Sequence, residues 1–280
     1  MKDSPTVSRV TFTLSPCHLV VFLSCLLKIT SDTMKLKCLC CESLTRMAYA
    51  SAAISPHVVD VELFEIGLHN KPLNLRQQLQ AKIDEVSSHG YDAITLAYGL
   101  CGQATAGLKA GTTQLVIPRA HDCITLFLGS RSRYMEQFEK NPGTYWYALD
   151  YIQRRDSSGT SLALGSGVDT SNLDATYLEY VEKYGQDNAD YLMEVMGAWQ
   201  SHYNRAVFID VGVGDGTPVA AIAQAEAERR GWNFEQMAGN ITLIQRLLSA
   251  QWDEDFLVIA PGQQIVMSYD EKVIGCRLYT

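Results

Sequence analysis

The stretch YDAITLAYGLCG at residues 91–102, followed by QLVIPRAHDC at 114–123, decides the fold. Each segment opens with a short apolar run rich in β-branched residues, which predicts a buried β-strand. Each strand then ends in a loop that carries cysteine or histidine. Two strands of this kind, so close in sequence, indicate a sheet whose connections bring reactive side chains to one edge.

The flanking segments alternate between strand and helix patterns. Further strands are predicted at 35–41, 57–66, 206–211 and 256–259. Helices are predicted at 47–53, 74–89, 104–109, 174–203, 218–230 and 241–250, and one more begins at Asp122 as its N-cap and runs through Phe138. This alternation predicts an α/β fold with a Rossmann-like, mostly parallel sheet and helices on both faces.

Residues 34–280 are expected to form a single α/β domain, with a point of subdivision near the Gly- and Ser-rich stretch 157–171. The first 33 residues differ from the rest. Their apolar run at 19–27 is shorter than the roughly 20 residues that span a bilayer. We interpret 1–33 as a leader or as a misassigned start before Met34, and expect it to be disordered; a signal or anchor and a structured arm are the alternatives.

Composition excludes several classes of protein. Apolar residues make up 47% of the 280-residue chain and charged residues 19%, which excludes a disordered or fibrous chain. The net charge of −8 and the lack of a basic stripe argue against nucleic-acid binding. We expect a cytoplasmic protein with no membrane association. Its eight cysteines are too sparse for a disulfide scaffold.

Cysteine and histidine follow three of the predicted strands. Cys41 ends the first strand, Cys101 follows the third, and His121 and Cys123 follow the fourth. Because ligands of open parallel sheets bind at the carboxyl ends of the strands, these side chains are expected at one edge. Thiolates and imidazole are ligands of catalytic zinc, and the same soft set suits iron. The sequence therefore predicts a zinc or iron site at Cys41, Cys101, His121 and Cys123.

The loops around this edge contain further candidate binding residues. Arg119 offers a guanidinium to a carboxylate or phosphate. Gly99 and Gly102 flank Cys101 in a tight turn, where the backbone can approach a cofactor. We expect these three residues to contact a small-molecule ligand or cofactor.

A metal-free alternative uses the same residues. Cys101 would be the nucleophile of a thiol hydrolase or transferase, and His121 its base. The segment from Gly99 to Gln103 resembles the G-x-S-x-G nucleophile elbow, with glutamine in place of the last glycine.

A glycine-rich motif, FIDVGVGDG at 208–216, is similar to the first motif of class I S-adenosylmethionine methyltransferases. Only 64 residues follow Gly216, too few for the further strands of such an enzyme. We therefore do not expect S-adenosylmethionine as a cofactor, and a tight turn between strand and helix is the plainer interpretation.

Several strings resemble the uncharacterised family called domain of unknown function 1638. They are the stretch 34–42 with its Cys-Glu step, YGLCG at 98–102, PRAHDCI at 118–124, GSR at 129–131 and PGTY at 142–145. The resemblance implies a start at Met34 and, because members are common in anaerobes near corrinoid-dependent methyl-transfer systems, a link to corrinoid- or thiol-linked methyl transfer. The family implies no established activity. A non-catalytic module that binds a corrinoid, or a partner methyltransferase or corrinoid protein, is a third hypothesis.

Overall fold

The computed structural model describes residues 33–101, 103–154, 181–182, 185–186 and 203–279. The predicted leader at 1–33, except for Thr33, the stretch 157–171 and nearly all of the predicted helix 174–203 lie outside the described residues. The strands are β1 (Lys35–Cys41), β2 (Val58–Phe64), β3 (Ala93–Ala97), β4 (Leu115–Pro118), β5 (Thr144–Ala148), β6 (Arg205–Asp210), β7 (Asn233–Ala238), β8 (Phe256–Ile259), β9 (Gln263–Met267) and β10 (Ile274–Leu278).

The α-helices of the described residues mostly follow the strands along the chain. They are α1 (Thr45–Ala53), α2 (Pro72–Val86), α3 (Cys123–Leu128), α4 (Arg131–Lys140), α5 (Leu149–Gln153), α6 (Thr217–Arg230) and α7 (Thr242–Leu248). Short 3₁₀ helices, Glu42–Leu44 and Ile66–Asn70, follow β1 and β2.

The main sheet has five strands in the order β2-β1-β3-β4-β8. The first four are parallel, and β8 pairs antiparallel with β4 at the edge. The connection from β1 leads outward to β2, whereas β3 lies on the other side of β1. The strand order therefore reverses beside β1, at the carboxyl ends of β1 and β3, which is where open α/β sheets bind ligands.

Helices cover this sheet on both faces, which explains why β3 and β4 are buried along their whole length. Helix α2 packs its apolar residues, spaced three or four apart, into one core cluster with β1, β3 and β4. Leu36, Cys38 and Cys40 alternate with Leu39 along β1; they are fully buried but lie outside that cluster, as residues of the opposite face must. On this opposite face α7 packs against α1 and contacts β3 and β4.

A second, parallel sheet has the order β5-β6-β7, with α6 packed against it. The α/β class with parallel sheets is confirmed, but the strands form two sheets and a hairpin instead of the single sheet that we expected. The difference arises at Tyr145-Trp-Tyr147, an aromatic run that forms β5 and pairs with β6, so that β6 does not join the main sheet. Among the described residues after β5, only β8 joins that sheet.

The antiparallel hairpin β9-β10 was not predicted. Backbone hydrogen bonds attach it to the loop after β3: Gly107 donates to Ile265 (2.7 Å) and Ala110 donates to Gln263 (2.9 Å). This loop forms turns over residues 103–107, whereas we expected a helix at 104–109. Its backbone pairs with the hairpin, and a helix would use the same groups internally.

The helix that begins at Asp122 is confirmed at its start and differs in its length. The Asp122 carboxylate accepts hydrogen bonds from the backbone of Ile124 (3.0 Å) and Thr125 (3.3 Å), as an N-cap does. Gly129 ends α3 in the left-handed conformation, with φ +72°. The Ser130 side chain then accepts from Arg133 N and caps a separate helix, α4. The expected single helix is thus two.

Candidate functional site

The loops that follow β3 and β4 are joined along their backbones. Leu100 N donates to Ala120 O (2.8 Å), and Cys101 N donates to His121 O (3.0 Å). Gly99 allows this approach, because a Cβ atom there would lie 2.7 Å from the Cα of Asp122. Gly99 therefore has an intramolecular reason to be glycine, and it fixes the position of Cys101 relative to Asp122.

Cys101 has an uncommon backbone conformation. Its φ is +46°, in the left-handed region that residues other than glycine and asparagine seldom adopt. Such conformations cluster at functional sites, where the surrounding structure maintains them. Here the hydrogen bond from Cys101 N to the loop after β4 supports the turn, and the residue is partly buried directly beyond the carboxyl end of β3.

Three of the four predicted ligands lie near one another. Burial raises the pKa of Cys101, and the charges of Cys41 and Asp122 raise it further. Burial is also the main cause of the raised pKa of Cys123, followed by the charges of Cys101, Asp122 and Cys41. Burial raises the pKa of Cys41, and a hydrogen bond that Ser43 Oγ donates to its sulfur (3.1 Å) partly offsets this rise. The three cysteines are thus neutral thiols near pH 7, and each negative charge added would oppose the next.

Tyr98 is a residue of this site that the sequence analysis did not single out as functional. Its side chain is only 2% exposed, and its hydroxyl has no hydrogen-bond partner among the described residues. Burial raises its pKa, and the charges of Cys41, Cys40 and Cys101 add to that effect. Tyr98 therefore places an unpartnered polar group beside the thiols. The available signal was its position, directly before Gly99 at the end of a buried strand.

His121 is oriented differently from the thiols. Its side chain is exposed, and its ring stacks on Tyr134 with 5.8 Å between centroids. The hydrogen bond that joins it to Cys101 uses backbone atoms of both residues. Within the described ranges, no three His, Cys, Asp or Glu side chains are arranged to hold a metal ion. The predicted four-ligand site is therefore not formed: Cys41, Cys101 and Cys123 lie close enough for their charges to interact, and His121 meets Cys101 through its backbone.

Arg119, the predicted ligand-binding arginine, and its neighbour Arg131 both contact the protein itself. Arg119 donates to the carbonyl oxygens of Lys272 (3.3 Å) and Ile274, and burial lowers its pKa. Arg131 binds the carboxylate of Asp255 (3.1 Å). Arg119 therefore fastens the loop after β4 to the hairpin. Gly102, the remaining predicted contact for a cofactor, lies outside the described residues.

The glycine motif after β6 packs against the protein's own side chains. A Cβ at Gly214 would lie 2.9 Å from Leu149 Cδ2, and one at Gly216 would lie 2.5 Å from the ring of Phe208. Gly214 also has a positive φ of +87°. These contacts account for two of the three glycines as parts of a tight turn. The interpretation that we preferred over an S-adenosylmethionine site therefore has a structural basis.

Cys38 and Cys40 have the alternation on β1 that is typical of core residues on one strand face. Both are 0% exposed in the middle and at the end of β1, which agrees with that pattern. In the described part of the chain, no helix is long and apolar enough to cross a membrane.

Fold and site together define a mixed α/β protein in which parallel strands carry cysteines to a common edge. A family model described as "Protein of unknown function (DUF1638)" matches residues 63–248, more than half of the chain. The chain therefore belongs to the DUF1638 family, and the resemblance found in its motifs is confirmed. No curated protein and no solved structure matches it.

Proposed function

We propose that Cys41, Cys101 and Cys123 bind a soft metal ion at the carboxyl ends of the parallel strands. The observation that carries this proposal is the gathering of three thiols from three separate chain segments beside the unpartnered hydroxyl of Tyr98. Buried polar groups are nearly always hydrogen-bonded, and a group that is not calls for an explanation such as an absent ion.

Electrostatics indicates the kind of ligand. Each thiolate at this site would raise the pKa of its neighbours, so three of them require a compensating cation. Metal coordination deprotonates thiols outright, and thiolates select zinc, iron or monovalent copper over hard cations. Because no three side chains in the described residues are already arranged around a metal position, binding requires rotation of the cysteine side chains. The partial exposure of all three cysteines allows such a change.

Zinc is the first metal to test, because it needs no redox partner. Corrinoid- or thiol-linked methyl transfer, and the partner proteins that it implies, stay predictions of the family resemblance. A zinc-bound thiolate can accept a methyl group, so metal binding is the step on which those predictions depend.

The test is anaerobic titration of the reduced, chelator-treated protein with Zn²⁺, in which the number of protons released per ion is measured. We expect one ion per chain, with affinity that falls as pH falls, because protons compete for the thiolates. Cys101→Ser and Cys123→Ser should abolish stoichiometric binding.

Cys276→Ser is the matched control. Cys276 is also partly buried and packs against the same core cluster as Cys41 and Cys101, but its charge is not among the causes of their raised pKa values. It should bind zinc as the parent does. Zinc binding that survives in Cys101→Ser and Cys123→Ser, or no binding by the reduced parent, contradicts the proposal.

A second candidate, metal-free thiol catalysis at Cys101, is favoured by its positive φ in a turn directly after a strand. Because burial raises its pKa, this thiol should react with iodoacetamide slowly at pH 7 and faster as pH rises. Peptide mass spectrometry would support this candidate if Cys101 is alkylated selectively and zinc gives no protection. Protection by zinc supports the metal site instead.

A further inference from the structure

A separate cavity lies beside the thiol site, by which we mean Cys41, Cys101 and Cys123. It has a volume of about 680 Å³ and is formed by α3, α4 and the turn between β9 and β10. None of the three clustered cysteines lines it, but His121, whose backbone binds Cys101, forms part of its wall. The volume lies within the range of about 300–1,000 Å³ that is typical of small-molecule sites.

The wall of this cavity carries more negative than positive charge. One guanidinium, that of Arg131, faces four carboxylates, and it is already paired with Asp255 (3.1 Å). Among the described residues, the carboxylates of Glu139, Asp270 and Glu271 make no ion pair with Lys or Arg. The cavity therefore favours a cationic guest over an anionic one.

Aromatic rings form another part of the wall. His121 and Tyr134 stack with an interplanar angle of 24°, and Tyr134 also stacks on Phe138 with 6.1 Å between centroids. The Tyr134 hydroxyl donates to Asp122 (3.2 Å), which holds the ring in position. Because Tyr134 is stacked between neighbouring rings, it lines the cavity together with the His121 ring as a flat contact surface.

An observation independent of charge points to a ligand here. Thr125 lines the cavity and is only 1% exposed, yet its hydroxyl has no hydrogen-bond partner in the described part of the chain. Its backbone N–H is satisfied by the Asp122 cap, so only the side chain lacks a partner. An unsatisfied buried hydroxyl is unfavourable, and a ligand with a polar group would offset that penalty.

We propose that this cavity binds a small organic ammonium ion. The carboxylates supply the attraction for its charge, the Tyr134 ring contacts its alkyl groups, and Thr125 binds a polar substituent. This inference does not rest on the proposed metal site, because the two sites use different side chains.

The test is isothermal titration of the chelator-treated protein with choline and with its uncharged isostere, 3,3-dimethylbutan-1-ol. We expect choline to bind at least about tenfold more tightly, and its affinity to fall as NaCl is added. Equal binding of both compounds, no binding of choline, or binding of inorganic phosphate in its place would overturn the proposal.

Variants on α4 and in the hairpin turn localise the binding. The double variant Glu139→Gln/Glu271→Gln should weaken choline binding about tenfold, since each exposed charge contributes about 0.7 kcal/mol. Glu136→Gln is the matched control, because Glu136 lies on the same helix but pairs with Lys140 (2.7 Å) and does not line the cavity. Both variants remove only exposed charges, so folding should be retained, and equal effects of the two variants would contradict the assignment.

Two further measurements separate the ring from its hydroxyl and this site from the thiols. Tyr134→Phe should retain choline binding and Tyr134→Ala should lose it, while thermal melts confirm that both fold. Cys101→Ser should bind choline like the parent even where zinc binding is lost. Choline binding that disappears in Cys101→Ser would contradict the independence of the two sites.

Discussion

At the scale of single residues, Cys101 carries the most unusual conformation in the site. A positive φ is unfavourable for cysteine because its Cβ crowds the backbone, and glycine removes that conflict. The structure retains cysteine there, between Gly99, which must be glycine to approach Asp122, and a backbone bond to His121. A thiol held at an energetic disadvantage indicates that the side chain serves a purpose other than stability.

The strain is measurable by substitution. Cys101→Gly should be more stable than Cys101→Ala by about 1–2 kcal/mol, because only glycine relieves the positive φ while both variants remove the thiol. Urea denaturation of the two variants under reducing conditions gives the difference. A Cys101→Ala protein that is as stable as Cys101→Gly would show that the turn is unstrained.

At the scale of elements, α3 depends on its first and last residues. Asp122 caps it, and Gly129 ends it in the left-handed conformation, where a Cβ would also lie 1.8 Å from Asn240 Oδ1. Asp122 also accepts a bond from Tyr134, so the cap links α3 to α4. The short helix and its two fixed ends thus place Cys123 at the thiol site and Thr125 at the cavity.

The Asp122 cap makes stability depend on pH. Burial raises the pKa of this carboxyl in the folded chain, although hydrogen bonds from Thr125 and Tyr134 lower it in part. The folded protein therefore holds the proton more tightly than the unfolded chain does. The resulting stabilisation is complete below the unfolded value of about 3.9 and is lost as pH rises through the folded pKa.

Asp122→Asn retains a capping oxygen but cannot ionise. We expect the unfolding free energy of Asp122→Asn, minus that of the parent, to increase as pH rises from about 4 towards neutrality. Urea melts at several pH values measure this difference. A difference that is constant or that decreases with pH would contradict the raised pKa.

At the scale of the whole molecule, a buried ion pair connects the two parallel sheets. Asp150, at the start of α5 after β5, is only 4% exposed. It accepts hydrogen bonds from Arg46 N (2.7 Å) and from the Arg46 guanidinium, on the helix that follows β1. Arg46 lies in the connection that follows β1 of the main sheet, whereas Asp150 follows β5 of the second sheet. Loss of the Asp150 carboxylate would therefore remove hydrogen bonds that connect the two sheets.

Asp150→Ala should lower the unfolding free energy by about 1–3 kcal/mol, since it removes the buried carboxylate that accepts from the part-buried Arg46 N–H and from one guanidinium nitrogen of Arg46. The exposed pair of Lys82 and Glu85 provides the control: Glu85→Gln should change stability by less than about 1 kcal/mol. Urea unfolding followed by tryptophan fluorescence and circular dichroism measures both. Equal effects of the two variants would show that Asp150 does not connect the sheets.

Much of the fold was predictable because its signals are local. An apolar run of strand length identified β1, and runs with β-branched residues identified β2 to β4, β6 and β8. The Asp122 cap was recognised from its position before an apolar run. The strand β5 was missed, since an aromatic run between Pro142 and the next helix has no alternating pattern. The break at Gly129 was missed because its reason, contact with Asn240, lies more than 100 residues away.

The sequence by itself determined that cysteines follow buried parallel strands, because the apolar runs give the length of each strand and its order along the chain. Only the tertiary structure decided that the charges of Cys41, Cys101 and Cys123 act on one another and that those of Cys41 and Cys101 act on Tyr98, and that the ring of His121 stacks on Tyr134. Strand neighbours and ring directions depend on contacts between distant segments. Periodicity within one segment contains no information about those contacts.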